Sequence, residues 1–365
     1  MKITRVEAIP LSIPFTYGAQ AMTLGTGASW KALDFCLVRV ETDAGLVGWG
    51  DAFAYSCRRA TVAMVEDMVA PIALGHDASD IGGLHAKLQQ KLHLFGRYGI
   101  TAFAISGLDI ALWDIVGKAA NLPLHRLIGG ARRMQLACYA SLLRYSEPRL
   151  VGEYSARARD EGHAAIKLHE ITDEAVAAAR AALGAGVPLA VDVNCEWRPL
   201  EAIAMGRRFA AHDLAWFEEP VFPPEDWAAL RTVGEACSMP LAAGENACFA
   251  VQFEAMFAAR AVSIAQPSVT KVGGVTEFLK VMALAQTHNV RIAPHSPYFG
   301  PGALATLHLL AACDQEAWFE YFYLWPEAKL YPGALDPVDG VVRVPTGPGL
   351  GAEPDPEVIR RYRVA

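Results

Sequence analysis

Eight short apolar runs that alternate with helix-like segments are the feature of this sequence that most constrains its fold. Most of the runs end in a polar residue and are followed by an alanine-rich segment with helical spacing. Strand–helix alternation predicts parallel strands joined by crossover helices. Eight such units predict a closed (β/α)8 barrel, whereas fewer or unequal units would favour an open sheet. The runs are LACYAS (136–141), AAIKLH (164–169), LAVDVN (189–194), AWFEE (215–219), LAAGE (241–245), VSIAQPS (262–268), RIAPH (291–295) and WFEY (318–321).

The chain outside these units predicts two further parts. Alternating strand-like runs followed by the helical stretch TAFAISGLDIALWDIVGKAAN predict an α+β domain over residues 1–125. We expect the barrel over residues 126–335, completed differently at its last strand because no clear helix follows it. Residues 336–365 are rich in Pro and Gly, and we expect them to pack back over the first domain.

Composition narrows the class of protein. With 53% hydrophobic and 19% charged residues, the chain has the composition of a soluble globular protein. A net charge of −7 without any basic run argues against nucleic acid and anionic membranes as partners. We expect no signal peptide and no membrane span. Seven scattered cysteines without a C-x-x-C pair indicate reduced thiols and a cytoplasmic location.

Acidic residues end three successive runs at nearly constant spacing. Lys167 is followed after 25 residues by Asp192, then after 26 by Glu218 and after 27 by Glu245. Each interval is about one strand plus one helix, so the three acids should lie on neighbouring strands at the barrel mouth. Three converging carboxylates repel one another unless a cation neutralises them. An all-oxygen ligand set predicts Mg²⁺ rather than zinc or copper.

Proton-transfer groups flank the predicted metal ligands. Lys167 and His169 share the inward face of one strand, and His295 ends a strand on the other side of the acids. A divalent cation beside a substrate carboxylate makes the neighbouring hydrogen more acidic. Groups on opposite sides of that carbon can then act as base and acid. The pattern therefore predicts removal of a proton α to a carboxylate.

These residues and motifs together resemble the enolase superfamily, in its mandelate racemase and muconate lactonizing enzyme branch. The similarity runs over nearly the whole chain, through ALWDIVGKAANLPLHRLIGG, DVN, WFEEP, GEN and QPSVTKVGGVT. It implies a modified (β/α)7β TIM barrel under an α+β capping domain, and a homo-oligomer between dimer and octamer. It also implies one Mg²⁺ per subunit on Asp192, Glu218 and Glu245, with Asn194 and Lys271 holding the ligand carboxylates.

The resemblance also implies roles for the remaining site residues. Many members have K-x-K where this chain has Lys167-Leu168-His169. His169 would take the position of the base and Lys167 would meet the substrate carboxylate, although the two roles are exchangeable. Glu320 matches the acid of the eighth strand. Ser268 replaces an aspartate that in racemase-like members raises the pKa of the histidine, so His295 should be a weaker base and a readier proton donor.

Ser268 in place of an aspartate decides the order in which we expect the candidate functions. We expect β-elimination by an acid-sugar (aldonate or aldarate) dehydratase first, with a sugar-acid lactone cycloisomerase as the alternative. Racemisation or epimerisation is third, and a carboxylate-binding barrel without activity is the non-enzymatic alternative. The loops 16–31 and 53–59 should select the small-molecule carboxylate, with four side chains able to reach the mouth: Tyr17, Trp30, Tyr55 and Arg58.

Overall fold

The computed structural model describes residues 1–19, 29–296 and 298–365, and its first part is an antiparallel sheet with helices. Strands β1 to β3 pair in sequence order, and β1 and β2 are joined over eleven registered residue pairs. The elements are β1 (Ile3–Thr16), β2 (Ala32–Thr42), β3 (Val47–Ala52), α1 (Arg58–Ala63), α2 (Ala70–Ala73), α3 (Ile81–Leu92), α4 (Ile100–Ala120) and α5 (Leu124–Leu127). A π-helical turn, Met64–Val69, joins α1 to α2, and a 3-10 turn, His93–Phe95, follows α3.

Helix α4 packs directly on strand β3 because glycines leave room for it. A Cβ atom on Gly50 would lie 1.8 Å from the carbonyl oxygen of Gly107, and one on Gly48 would lie 2.2 Å from that of Ala111. By length and composition alone this helix could cross a membrane. Because 78% of its most apolar window is buried, it is a core helix of the fold.

The second part contains all eight predicted strands, and the prediction of a barrel is confirmed. The parallel strands are hydrogen-bonded in the order β10-β9-β8-β7-β6-β5-β4-β11, and helices lie between them in the chain. The elements are β4 (Gln135–Ser141), α6 (Pro148–Asp160), β5 (Ala165–Leu168), α7 (Asp173–Leu183), β6 (Leu189–Asp192), α8 (Pro199–Phe209), β7 (Leu214–Glu218), α9 (Trp227–Cys237), β8 (Leu241–Ala243), α10 (Phe249–Ala258), β9 (Ile264–Ala265), α11 (Gly274–His288), β10 (Arg291–Ile292), α12 (Pro301–Ala312) and β11 (Phe319–Phe322). A 3-10 turn, Ala210–His212, follows α8.

The end of the chain contacts both parts. Strand β12 (Trp325–Pro326) pairs with β1, and β13 (Val341–Arg343) pairs antiparallel with β4 of the barrel. After α13 (Pro356–Tyr362), Arg363 bridges to Leu11 of β1. Residues 323–355, all of them described, contain no helix, in agreement with the weak last repeat in the sequence. The domain limits at 125 and 335 remain predictions.

Candidate active site

The polar residues of the site form a layer inside the barrel, directly above an apolar one. The apolar layer comprises Tyr139, Ala165, Ala190, Trp216, Ala242, Ile264 and Ala293. Side chains two residues apart on a strand share a face, so the next layer should point inward too. It comprises Ser141, Lys167, Asp192, Glu218, Gln266 and His295, with Glu320 two residues after Trp318. The intervening residues, such as Ile166, Val191 and Phe217, belong to the core under the helices.

The structure brings the three predicted metal ligands together. Ligand oxygens of Asp192, Glu218 and Glu245 all lie within 4.8 Å of one another. Asp192 and Glu218 are paired in register at the ends of β6 and β7, and Glu245 follows β8 by two residues. Three convergent carboxylates with waters or substrate completing the shell match the oxygen ligands of Mg²⁺.

The cationic groups around the triad do not suffice to lower the pKa of all three carboxylates. Burial and the neighbouring Asp192 raise the pKa of Glu218 well above its usual value. Burial would also raise the pKa of Asp192, but Lys167 and His169 outweigh it and lower that pKa. Burial opposes ionisation of Glu245 as well, yet His295 and Lys271 lower its pKa. The surroundings therefore shift the pKa values of the three acids in different directions, and a divalent cation would supply positive charge that favours all three carboxylates.

Lys167 lies beneath the cavity, within the acid cluster. Its Nζ atom is 2.8 Å from Glu218 Oε1, 2.9 Å from Glu320 Oε1 and 3.6 Å from Asp192 Oδ2. Burial would lower the pKa of Lys167, but Glu218 and Glu320 raise it well above its usual value. Lys167 is therefore a buried cation that balances acids, and it is not one of the described residues that line the cavity.

His169 is fixed by a backbone group. Its Nδ1 lies 2.5 Å from the carbonyl oxygen of Leu142, which can only accept a hydrogen bond. Nδ1 therefore carries the hydrogen, and in the neutral ring the lone pair is on Nε2. That atom faces the acid cluster, 3.3 Å from Asp192 Oδ2. This arrangement is suited to a general base.

His295 is held by hydroxyl groups instead. Its Nδ1 lies 3.1 Å from Ser268 Oγ and 3.0 Å from Tyr298 Oη, and the two hydroxyls contact each other. Its Nε2 is 3.1 Å from Glu245 Oε2. Burial lowers the pKa of His295, although Glu245 and Glu320 oppose that effect. Tyr298 was missed from the sequence, where its position three residues after His295 in HSPYFGPG was the available signal.

Amide and ammonium groups orient the ligand carboxylates. The backbone N–H of Asn194 donates to Asp192 Oδ1 at 2.8 Å, and its Nδ2 donates to Oδ2 at 3.2 Å. Strand β6 ends at Asp192 rather than continuing to residue 194, because Asn194 adopts a left-handed φ of 48°. Lys271 Nζ lies 3.3 Å from Glu245 Oε1. Such contacts fix ligand orientation in metal sites.

Glu219, which the sequence analysis did not identify as a site residue, lies beside the metal ligands. Glu219 accepts hydrogen bonds from Asn246 Nδ2 at 2.9 Å and from Cys195 Sγ at 3.3 Å. Burial and the nearby Glu245 raise its pKa to about 8. Its place directly after Glu218 in WFEEP was the signal.

A cavity of about 380 Å³ opens above these residues, between the two parts of the fold. Its barrel floor, as we call it, comprises Ser141, His169, Asn194, Glu245, His295 and Glu320. Its capping wall comprises Trp30, Asp34, Phe35, Asp51, Phe53 and Tyr55. Two acids of this wall, Asp34 and Asp51, were missed from the sequence because only the fold brings their strands to the mouth.

The four predicted substrate-contacting residues differ in position. Trp30 and Tyr55 line the cavity, and their ring centroids are 4.7 Å apart. Tyr17 is buried against Phe15 and Tyr145 and is not among the described lining residues. Arg58 forms an ion pair with Asp34. Residues 20–28, the middle of the predicted loop 16–31, lie outside the described residues.

Fold and site together define a class of protein: a capped barrel with a carboxylate triad between two imidazoles. A sequence model described as Enolase C-terminal domain-like matches residues 150–358. The Mandelate racemase / muconate lactonizing enzyme, N-terminal domain, matches residues 19–129. The chain therefore belongs to the enolase superfamily, in its mandelate racemase and muconate lactonizing enzyme branch.

Individual relatives include dehydratases and cycloisomerases. The chain is 31% identical to arabinonate dehydratase of Saccharolobus solfataricus over 353 residues, 92% of either protein. It is 33% identical to D-galactarolactone cycloisomerase of Agrobacterium fabrum over 347 residues, 90% of this chain and 91% of the relative. The solved 3,6-anhydro-D-galactonate cycloisomerase of Zobellia galactanivorans matches with a TM-score of 0.86 at 28% identity, and the match covers all of both chains.

Proposed function

We propose that this chain is an acid-sugar dehydratase that eliminates water from a sugar acid. The observation that carries the proposal is the placement of two imidazoles on two sides of one acid cluster. His169 Nε2 is 3.3 Å from Asp192, and His295 Nε2 is 3.1 Å from Glu245. Binding a carboxylate alone would not require opposed proton-transfer groups.

Asp192, Glu218 and Glu245 would hold one Mg²⁺ per subunit. The bound ion supplies positive charge that makes the hydrogen α to the substrate carboxylate more acidic. Lys167 neutralises the buried acids from below, and Asn194 and Lys271 keep the ligand carboxylates oriented. Glu320 holds Lys167 and accepts the backbone N–H of Ser296 at 2.8 Å.

The proton transfers are assigned from the hydrogen bonds of the two histidines. His169 removes the α proton through Nε2, because Nδ1 donates to Leu142. The electron pair of the broken C–H bond forms a C=C bond, and the C–O bond at the β carbon breaks. His295 Nε2 gives a proton to the departing hydroxyl, which leaves as water, and the enol product becomes a 2-keto acid. Ser268 and Tyr298 hold His295 without the charge that would strengthen it as a base.

Lactone cycloisomerisation is the second candidate. In that reaction the departing atom is a lactone ring oxygen, which stays attached to the product, and the same two histidines act. Two of the relatives above are named cycloisomerases. A panel that contains lactones beside open-chain acids distinguishes the two reactions by which form is consumed.

The test is incubation with Mg²⁺ and a panel of aldonates, aldarates and their lactones in D₂O. We expect keto-acid formation by the wild type. His295→Asn should retain deuterium exchange at the α carbon and lose ~10²–10⁴-fold of the elimination rate, whereas His169→Asn should lose both. His288→Asn, which changes a surface histidine paired with Glu254, is the control. Absence of exchange and product over the whole panel would overturn the proposal.

Three further properties are proposed on other grounds. All seven cysteines are free thiols, which supports a location in the cytoplasm. A net charge of −7 supports a small-molecule partner rather than nucleic acid or an anionic membrane surface. A homo-oligomer between dimer and octamer follows from the resemblance alone, and sedimentation would test it.

A further inference from the structure

The two ends of the cavity differ in charge, and this difference bears on the substrate. The barrel floor holds the two histidines and lies over the metal ligands, where one carboxylate of the substrate is engaged under the function proposed above. Resting on that function, we propose that the substrate is a sugar monocarboxylate, an aldonate or its ring-closed form, and that aldarates with a second carboxylate are disfavoured. The residues of the capping wall support this proposal.

No described residue that lines the cavity is a lysine or an arginine. Residues 20–28 and 297, which the structure does not describe, contain no Lys, Arg or His in the sequence. The capping wall instead contributes two acids, Asp34 and Asp51. A second carboxylate at this end would lose its hydration and meet anionic groups without a cation.

Two cations beside this wall are already paired. Lys271 Nζ lies 4.8 Å from the centroid of the Phe53 ring and contacts Glu245 Oε1 at 3.3 Å. Arg58 Nη1 contacts Asp34 Oδ1, and both side chains are largely buried, with 19% and 24% of their surface exposed. The pair neutralises Arg58, so this arginine does not offer its charge to a ligand. Asp34 keeps oxygen atoms that can accept a hydrogen bond from a substrate hydroxyl.

Asp51 is placed to receive a neutral polar group. It is 4% exposed and packs against glycines at the start of α12, where a Cβ atom on Gly300 would lie 2.5 Å from Asp51 Oδ2. The backbone N–H of Gly302 donates to its carboxyl group, and burial raises its pKa to about 7. The ionised Asp51 carboxylate accepts a hydrogen bond from a substrate hydroxyl and repels a second carboxylate.

The remaining surface at this end is aromatic. The Trp30 ring lies 4.7 Å from Tyr55 and 5.7 Å from Phe322, centroid to centroid, and Phe53 lies 6.2 Å from Tyr55. Apolar C–H faces of a sugar chain or ring can pack on these rings, whereas a carboxylate gains nothing from them. Charge and surface therefore favour a hydroxyl-terminated or cyclic distal end.

The experiment compares matched pairs that differ only at the distal carbon. The complete sets of hexonates and hexarates, and of pentonates and pentarates, each with the corresponding lactones, are assayed at saturating Mg²⁺. We expect kcat/KM for the best aldonate to exceed that for its aldarate by ~100-fold or more. An aldarate that is turned over as well as its aldonate would overturn this inference and leave the elimination chemistry in place. No turnover of either series would overturn the proposed function, and this inference with it.

A variant tests the role of the ion pair by gain of function. Asp34→Asn releases Arg58 while leaving a side chain of the same size. It should lower the ratio of kcat/KM for the aldonate to kcat/KM for the aldarate by ~10-fold, mainly through a lower KM for the aldarate. Asp34→Glu keeps a carboxylate that can pair with Arg58 and is the matched control. In this variant the ratio of the two kcat/KM values should not change. An unchanged ratio in Asp34→Asn, with the protein folded by circular dichroism, would overturn the role assigned to this pair.

Discussion

The barrel floor and the capping wall face the same cavity but are built on different principles. On the floor and directly beneath it, acids lie against nitrogen cations or imidazoles: Lys167 Nζ contacts Glu218 at 2.8 Å and Lys271 Nζ contacts Glu245 at 3.3 Å. On the wall, Asp34 is paired with Arg58, which is not among the described lining residues, and Asp51 has a backbone N–H as its partner. The floor concentrates charge to move protons, and the wall limits charge to select a neutral distal group.

Substitutions on the barrel floor and on the capping wall should therefore have different kinetic effects. Desolvation makes a buried ion cluster a weak source of stability, so the cluster around Lys167 is better explained by the chemistry it serves. A change on the floor should therefore lower kcat for every substrate. A change on the wall should alter KM and the ratio between substrates, because it touches only the part of the ligand that does not react.

The largest effect should come from removing the metal. Treatment with a chelator should lower kcat by more than ~10³-fold, because the hydrogen α to the substrate carboxylate is no longer acidified. Added Mg²⁺ should restore the activity. Glu245→Gln should give a comparable loss that Mg²⁺ does not restore, whereas Glu235→Gln on the surface, paired with Arg231, should have no effect. Full activity in protein shown by metal analysis to be metal-free would contradict this account of the floor.

Ser268→Asp should redirect the floor chemistry. A carboxylate in the place of Ser268 Oγ, 3.1 Å from His295 Nδ1, should raise the pKa of His295 and make it a better base and a poorer acid. We expect elimination to fall ~10- to 100-fold while deuterium exchange per turnover rises. Ser268→Ala is the control without the added charge. If the ratio of exchange to elimination is the same in both variants, charge at this position does not set the reaction.

The strands were predictable because the alternation of apolar and polar residues indicates which face of the strand each side chain occupies. Leu189 and Val191 pack under the helices while Ala190 and Asp192 point inward, as a period of two requires. The ends of the strands were not predictable. The run 262–268 yields only Ile264–Ala265 as a strand, because pairing ends where the neighbouring strands end.

The acid triad was predictable for the same reason, since spacing fixes the strand on which each acid lies. Asp51 was not, because it comes from a capping strand whose distance from the floor depends on how the two parts pack together. Tyr298 was not, because it lies on the loop between β10 and α12, whose conformation no strand or helix pattern specifies. The burial of Lys167 among three acids also depends on tertiary structure. Local pattern therefore defines the floor, and packing between the parts defines the wall.

Tyr298→Phe should produce a smaller effect at the edge of the floor. The change removes the hydroxyl 3.0 Å from His295 Nδ1 and leaves Ser268 as the remaining partner. We expect kcat to fall ~3- to 10-fold with little change in KM, since one of two hydrogen bonds that orient the ring is lost. The double variant with Ser268→Ala should lose more than the product of the two single effects. A change confined to KM would instead indicate that Tyr298 contacts substrate only.

Asp51→Asn should affect turnover least and should instead change how stability depends on pH. Burial raises the pKa of Asp51 from 3.8 to about 7, so between these values the folded protein binds more protons than the unfolded chain. Stability from this group is then fully present below about pH 4 and falls as the pH rises to about 7, by on the order of 2–4 kcal/mol. Asn keeps an acceptor for Gly302 without that cost. The Tm of the variant should therefore match that of the wild type near pH 4 and exceed it at pH 8. A difference in Tm that does not vary with pH would contradict this expectation. It would show that Asp51 is ionised without penalty and that the capping wall tolerates negative charge.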